Sequence, residues 1–215
     1  MAAFSKYTDW YFTLKCMNNN SCTDPVGGSA ASGSRLIPKS NFETNKSLDQ
    51  LTDSFKQVHN APLIDRLTVS HFFAGNAVAQ NNYNDTSVNP AWQRAILHVI
   101  LRSSWGANVT IEEINLRNDV TTRATQLLKE ITPDSGCYMN ESDRNDPEWQ
   151  KSYFGDNYPR LKAIKKMVDP NELFTCWHCV GSEEWTDDLN CPRTTVASHV
   201  SENIKIYSRP QNHSH

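Results

Sequence analysis

Four potential metal ligands fall within sixteen residues near the C-terminal end: Cys176, His178, Cys179 and Cys191. Thiolates and an imidazole gathered this closely can hold zinc in a tetrahedral site. Against zinc, His178 lies between the two cysteines of the pair. A Cys-x-x-Cys pair can also close on itself as a disulfide, or either cysteine can pair with Cys191. The reading adopted is that no metal is held here, and the terminal run Asn212-His213-Ser214-His215 is a weak metal-binding tail at best. A second group is Tyr138, Asn140 and Glu141, with Asp143 close behind. Read as a short extended segment, Tyr138 and Asn140 share one side and Met139 points to the other. Tyr138 is equally compatible with a core tyrosine whose hydroxyl is satisfied, and Glu141 with a solvated loop charge; Asp143 is read as the latter. His98 and His71 lie in apolar stretches and are read as satisfied core histidines rather than as bases.

These residues need elements to hold them. Leu48, Leu51, Phe55 and Val58 recur at helical spacing and predict an amphipathic helix between Asn41 and Asn60. Val120, Ala124, Leu127, Leu128 and Ile131 predict a second between Asn115 and Ile131, ended by Pro133, Asp134 and Gly136. Arg66–Ala79 is rich in β-branched and aromatic residues and predicts extended chain, its glycine marking a bulge or a close backbone approach. Within 91–105 both alternating sets, Ala95, Leu97, Val99, Leu101 and Ile96, His98, Ile100, Arg102, are largely apolar. That predicts a strand covered on both faces or nearly so. Asp146-Pro147 opens a helical turn carrying Trp149 and Tyr153, which Gly155 breaks. Tyr158, Leu161, Ile164 and Met167 stripe a further helix closed by Pro170, with Asn157 where an N-cap is wanted before Pro159. Residues 1–22 are read as helix or loop, and the small residues of 24–35 (DPVGGSAASGSR) as a mobile connector without a phosphate-cradling pattern. Strands and helices in this order give an α+β fold, an antiparallel sheet covered by helices.

The chain has 215 residues and a formal charge of −3, which argues neither for nucleic acid nor for a disordered acidic tail. No apolar run approaches the roughly 20 residues of a membrane span. The sequence begins MAAFSKYTDWYFTLKC, where Asp9 and Lys15 interrupt what a secretory leader would need. Six cysteines and sequons at Asn19, Asn45, Asn84, Asn108, Asn140 and Asn212 nevertheless fit a secretory-pathway ancestor.

Three stretches taken together carry a family resemblance: YMNESD at 138–143, DPEWQKSYFGDNYPRLKAIKKMVDPNELF at 146–174 and CWHCVGSEEW at 176–185. They resemble the C-terminal region of the berberine bridge enzyme-like family, oxygen-dependent FAD-linked oxidoreductases of the vanillyl-alcohol oxidase type. GSRLIPKSNF at 33–42 and NPAWQRAILHVI at 89–100 are similar to its fungal branch in particular. The resemblance runs over about residues 33–191 in conserved order. It implies a substrate domain whose antiparallel sheet roofs the flavin ring, and a C-terminal helical segment that packs on a flavin domain missing here. Residues 1–32 are then an N-terminal segment and flexible linker, 33–135 a partial substrate domain, 136–191 the C-terminal segment and 192–215 a tail. Tyr138 and Glu141 match the catalytic side, where a tyrosine or carboxylate takes a proton while the flavin takes a hydride. Asn140, Asn157 and Tyr158 match positions that contact the flavin, and a sequon at Asn140 facing that cleft is expected to stay unmodified.

The family holds most of its FAD upstream of the matched region, through a Gly-rich loop and a His and Cys on the ring. The chain is therefore expected to be a C-terminal portion that retains FAD poorly by itself. The function implied is FAD-linked oxidation of a small secondary metabolite. Two alternatives stand beside it: a catalytically inactive remnant, or a split-subunit module completing a separately encoded flavin domain. A zinc-stabilised glycoprotein rests on the cysteine cluster alone.

Overall fold

The computed structural model describes residues 29–65, 69–72, 76–80 and 86–193. They divide into two compact units, one ending at Asp156 and the other beginning at Asn157. The first unit is α+β. Its sheet has the order β1-β3-β2, with β1 (Ala30–Pro38), β2 (Val69–Phe72) and β3 (Ala95–Ser104), and both outer strands run antiparallel to β3. Helices α1 (Asn45–His59), α2 (Asn76–Gln80), α3 (Ile111–Glu130) and α4 (Trp149–Phe154) complete it.

One sheet face carries the core. Ile37, Leu97, Val99 and Leu101 point from β1 and β3 onto Leu51 and Val58 of α1 and Val120, Ala124 and Leu128 of α3. The helices begin where side chains can take up their first N–H groups. Thr44 and Ser47 form a capping box on α1, and the Thr110 hydroxyl accepts from the Glu113 amide on α3. Glu112 and Glu113 in the first turn of α3 suit its dipole. At the other end of α3 the buried Arg35 guanidinium donates to the Thr132 hydroxyl at 2.8 Å and to the Thr132 carbonyl, just where helical carbonyls lose their partners.

The stretch read as a connector is overturned from Ala30 onward, because β1 is a fully paired strand with Ser34, Arg35, Leu36 and Ile37 buried. The small residues serve close packing. A Cβ on Gly33 would stand 2.1 Å from Thr125 Oγ1 and 3.4 Å from Thr121 Cγ2. Both threonines return their hydroxyls to the carbonyl one turn back, Thr121 to Arg117 and Thr125 to Thr121, each at 2.9 Å. They are polar residues satisfied within their own helix, so α3 lies directly on the strand.

Other expectations shift as well. Of the extended stretch 66–79, residues 69–72 are strand, but 76–80 form α2. Arg66–Thr68 and Phe73 lie outside the described residues, as do residues 1–28, 81–85 and 194–215, with Cys16, Cys22 and the sequons at Asn19, Asn84 and Asn212. Residues 135–138 flank β1, with the Leu36 amide donating to the Gly136 carbonyl at 2.9 Å and Ser135 Oγ to the Leu36 carbonyl at 2.6 Å. Buried Asn89 donates to the Ser152 carbonyl at 2.9 Å, and Gly136 and Gly155 both press against its amide.

The second unit is built on α5 (Tyr158–Val168), none of whose residues is buried. Pro159 opens this helix as expected, but the Asn157 side chain makes no capping hydrogen bond. Lys165 pairs with Asp169, whose carboxylate also accepts from the Leu173 and Phe174 amides at 2.9 and 3.1 Å, closing the helix end.

Candidate functional site

The candidate site lies on the sheet face opposite α1 and α3. Alternation puts Ile96, His98 and Ile100 of β3 there, and His98 stands directly between Leu36 of β1 and His71 of β2. Leu36 is covered by Ala91 and Trp92 of the single turn at Pro90–Gln93 and by Ala95 at the start of β3. Rings converge on His98: Trp92 at 5.5 Å, Tyr138 at 6.0 Å and His71 at 6.2 Å between centroids, the last two edge-on. Trp92 and Tyr138 also meet edge-to-face at 6.1 Å. Glu141 completes the group, with Oε2 3.8 Å from His98 Nε2.

The turn bearing Tyr138, Asn140 and Glu141 is not the extended segment expected. Residues 139–141 form a 3-10 turn closed by the Glu141 amide on the Tyr138 carbonyl at 3.0 Å. The turn brings Asn140 back, so that its amide nitrogen donates to the Tyr138 hydroxyl at 2.6 Å. Ser34 Oγ accepts from the Tyr138 amide at 3.2 Å and ties the turn to β1. Below it, Asp143 is buried rather than solvated. Its carboxylate accepts from Thr122 Oγ1 at 3.0 Å and the Asn145 amide at 2.9 Å, and its carbonyl accepts from the Tyr153 hydroxyl at 2.7 Å. Burial holds the Asp143 carboxyl above its ordinary range. Three residues on, Asp146 accepts from Lys129 Nζ at 2.8 Å; burial works against its charge, but Lys129 and its other donors hold its pKa low. These bonds fasten the site turn to α3.

His98 is indeed buried, as its place in an apolar strand suggested. Its pKa falls to about 4, first because burial disfavours the charged ring and then because His71 repels it. What the sequence did not disclose is its position: it is the side chain around which the others gather. The signal available was the only polar residue between Ala95 and Leu101. Trp92 and Asn89 were also missed, and their roles depend on contacts with residues some 46 to 63 positions away.

Of the residues read from the resemblance, Tyr138, Asn140 and Glu141 come together in the first unit, whereas Asn157 and Tyr158 belong to the second. There the Tyr158 hydroxyl donates to Glu183 and accepts from the Gly181 amide at 3.2 Å. Lys162 bridges Glu183 and Glu184 at 2.5 and 2.8 Å. Burial and Glu183 push the Tyr158 phenol well above its ordinary pKa.

The cysteine alternatives resolve locally. Cys176 and Cys179 form a disulfide with Cα atoms 5.2 Å apart, and the intervening Trp177 and His178 rings stack at 5.0 Å. Among the described residues no three His, Cys, Asp or Glu side chains are placed to hold a metal ion. Cys191 is exposed and Cys137 buried, neither in a disulfide among the described residues. On the native protein a water-soluble thiol reagent should therefore label Cys191, leave Cys137 until denaturation, and reach Cys176 and Cys179 only after reduction. One equivalent of zinc by elemental analysis, lost on Cys176→Ser, would restore the metal reading.

Comparison with known proteins bears on the site directly. The sequence profile of the "Berberine and berberine like" family matches residues 137–180, which include Tyr138, Asn140 and Glu141. Residues 137–180 are berberine-bridge-enzyme-like. The chain is 38% identical over 160 residues to the FAD-linked oxidoreductase patO of Penicillium expansum, covering 71% of this chain and 26% of that protein. With an uncharacterized FAD-linked oxidoreductase of Arthroderma benhamiae it shares 32% identity over 166 residues, 77% of this chain and 28% of that protein. Among solved structures it resembles the VAO-type flavoprotein MtVAO713 from Myceliophthora thermophila C1, with a TM-score of 0.70 and 26% identity over 79% of this chain and 29% of that one. MtVAO615 from the same organism gives 0.66 and 30% over 73% and 28%. The chain thus spans little more than a quarter of the length of these relatives. Its α+β layer is the fold they contain, and its relatives are fungal FAD-linked oxidoreductases.

Proposed function

We propose that this chain forms the substrate side of an FAD-linked oxidoreductase acting on a small secondary metabolite, with Tyr138 and Glu141 as proton-handling residues and Asn140 contacting the flavin. The observation that supports this reading most is the convergence of Tyr138, Asn140, Glu141, Trp92 and His98 on the sheet face away from the helices. Flat aromatic walls, one amide and one carboxylate suit a planar heteroaromatic ring and a substrate that must lose a proton. The family's cofactor, when bound, accepts the hydride. Asn140 presents its amide to the Tyr138 oxygen, which leaves the phenol proton directed elsewhere and orients the hydroxyl. Glu141 keeps 39% of its side chain exposed and so remains within reach of a ligand.

A flavin's pyrophosphate needs clustered backbone N–H donors or cations, and the side chains of this group are not of that kind. We therefore assign to this chain the ring and the substrate, and to a separate flavin domain the rest of the cofactor. Asn157 and Tyr158 retain their proposed part in contacting the flavin through the phenol ring and the asparagine amide, because the Tyr158 hydroxyl is engaged by Glu183.

The test joins the chain to the flavin-binding portion of a fungal relative and follows anaerobic flavin reduction by a panel of small hydroxylated metabolites. Tyr138→Phe and Glu141→Gln should each slow reduction about 100-fold, the usual order for a proton-transfer residue, without altering the bound flavin's spectrum. Reduction at the parent rate in both variants would remove these residues from the chemistry. A stably loaded protein reduced by no member of the panel would favour the inactive remnant.

A further inference from the structure

We propose that His98 is a positioning residue for Glu141: the buried imidazole and the half-exposed carboxylate act as one proton-holding pair beneath the substrate. This rests on the reading of Glu141 as a proton acceptor and adds a residue that reading does not contain.

The geometry carries it. His98 and Glu141 come from different elements, the middle of β3 and the turn after α3, and are 43 positions apart in the chain. Yet His98 Nε2 lies 3.8 Å from Glu141 Oε2, a separation that a small rotation or one water closes. The two differ in access. The His98 side chain is 3% exposed and Glu141 39%, so only the carboxylate can meet a ligand from outside. The imidazole is also fixed in place. Trp92 leans on it, Tyr138 and His71 stand edge-on to it, and Leu36 lies across the strand. A fixed ring beside a partly exposed carboxylate limits where that carboxylate can point.

The proton balance is simple. A substrate hydroxyl would give its proton to Glu141 as its carbinol carbon is oxidised to a carbonyl, with the family's cofactor, when bound, supplying the hydride acceptor. The new carboxylic acid then faces His98 Nε2, which accepts its hydrogen bond and holds its orientation until the exposed carboxyl returns the proton to water. The titratable groups around the imidazole are His71 on β2, Glu141 and the Tyr138 phenol on the site turn. His71 opposes a charge on His98 and Glu141 favours one. Burial keeps His98 neutral down to about pH 4, so across the neutral range the uncharged ring offers Nε2 to the protonated Glu141 carboxyl as a hydrogen-bond acceptor.

The first measurement uses the 215-residue chain itself and needs no flavin. Histidine ring signals followed by NMR should show His98 titrating well below an ordinary histidine. Glu141→Gln removes the attracting charge and should lower that midpoint further, by about 0.5–1 unit. His71→Gln removes the repelling one and should raise it. An unchanged His98 midpoint in Glu141→Gln would overturn the pairing, since a histidine that merely fills space does not sense that carboxylate. If His98→Gln folds, the flavin-completed protein gives the second reading. The acid limb of flavin reduction against pH should move in that variant with the flavin spectrum unchanged, and His98→Asn should recover part of the shift. An acid limb identical to the parent's would also overturn the proposal. The outcomes separate it from the function on which it rests. Coupled titration without flavin reduction leaves the pair standing and removes the oxidase, whereas reduction without coupling does the reverse.

Discussion

Purified by itself, the chain should be colourless and self-associating, and both properties should disappear when a flavin-binding portion from a fungal relative is supplied in trans. Self-association follows from apolar side chains exposed among the described residues. In the second unit Met167, Val168, Leu173 and Phe174 are 74%, 68%, 78% and 80% exposed, and Ile164 adds to them. Helix α5 shows the 3.6-residue apolar spacing of a packed helix while burying none of its residues. Covering each such side chain is worth about 1.5–3 kcal/mol, and a run of them exposed together marks a face that some partner covers. In the first unit Phe72 is 76% exposed. Phe154 is buried against Trp149 and Tyr153, Trp92 and Tyr158 are only partly exposed, Phe73 lies outside the described residues, and Tyr138 and Tyr158 stand in different units. Light scattering should report oligomers for the chain alone, dispersed by Leu173→Glu with Phe174→Glu or by the added flavin portion. Flavin absorbance should reach one equivalent only in the second case. A yellow, monodisperse chain that ignores the added portion would mean that it is self-sufficient, and the partner reading would fail.

Gly33→Val should come close to unfolding the first unit. The new Cβ alone would meet Thr125 Oγ1 at 2.1 Å, and two methyl groups beyond it would enter the space of Thr121 and Thr125. Neither threonine can yield cheaply, because each holds a hydrogen bond to its own helix and is buried. α3 would have to lift from β1, opening the cluster of Ile37, Val99, Leu101, Ala124 and Leu128. Overpacking of this kind costs about 1–3 kcal/mol when neighbours adjust and more when a helix must move. A single domain is stable by only about 5–15 kcal/mol. Urea midpoints should fall steeply for Gly33→Val and less for Gly33→Ala. Thr125→Ala should recover part of the Gly33→Ala loss in a double-mutant cycle while costing little alone. Additive losses with no recovery would show that Gly33 matters for some reason other than the helix above it.

The sequence by itself determined what depends on neighbours along the chain. Apolar spacing located α1, the greater part of α3 and α5, and the unbroken apolar run located β3, because helix and strand periods impose themselves over a few residues. Thr110 caps α3 five residues ahead of Asn115, where the apolar spacing alone begins the helix. The stretch at 138–185 carried the family resemblance for the same reason, being nearly contiguous, and the family profile matches residues 137–180. Tertiary structure decided the rest. β1 looked like a linker because Ala, Ser and Gly are weak strand formers alone, and only the helix lying on Gly33 accounts for small residues there. The disulfide partner of Cys176 was one of several until the 170s loop brought Cys179 to it. His98 read as one more core residue because a period of two says which face a side chain takes, and nothing about what crosses the sheet to meet it. Its neighbours Leu36, His71, Trp92, Tyr138 and Glu141 come from four separate stretches of chain, and contacts between distant stretches arise only when the sheet closes.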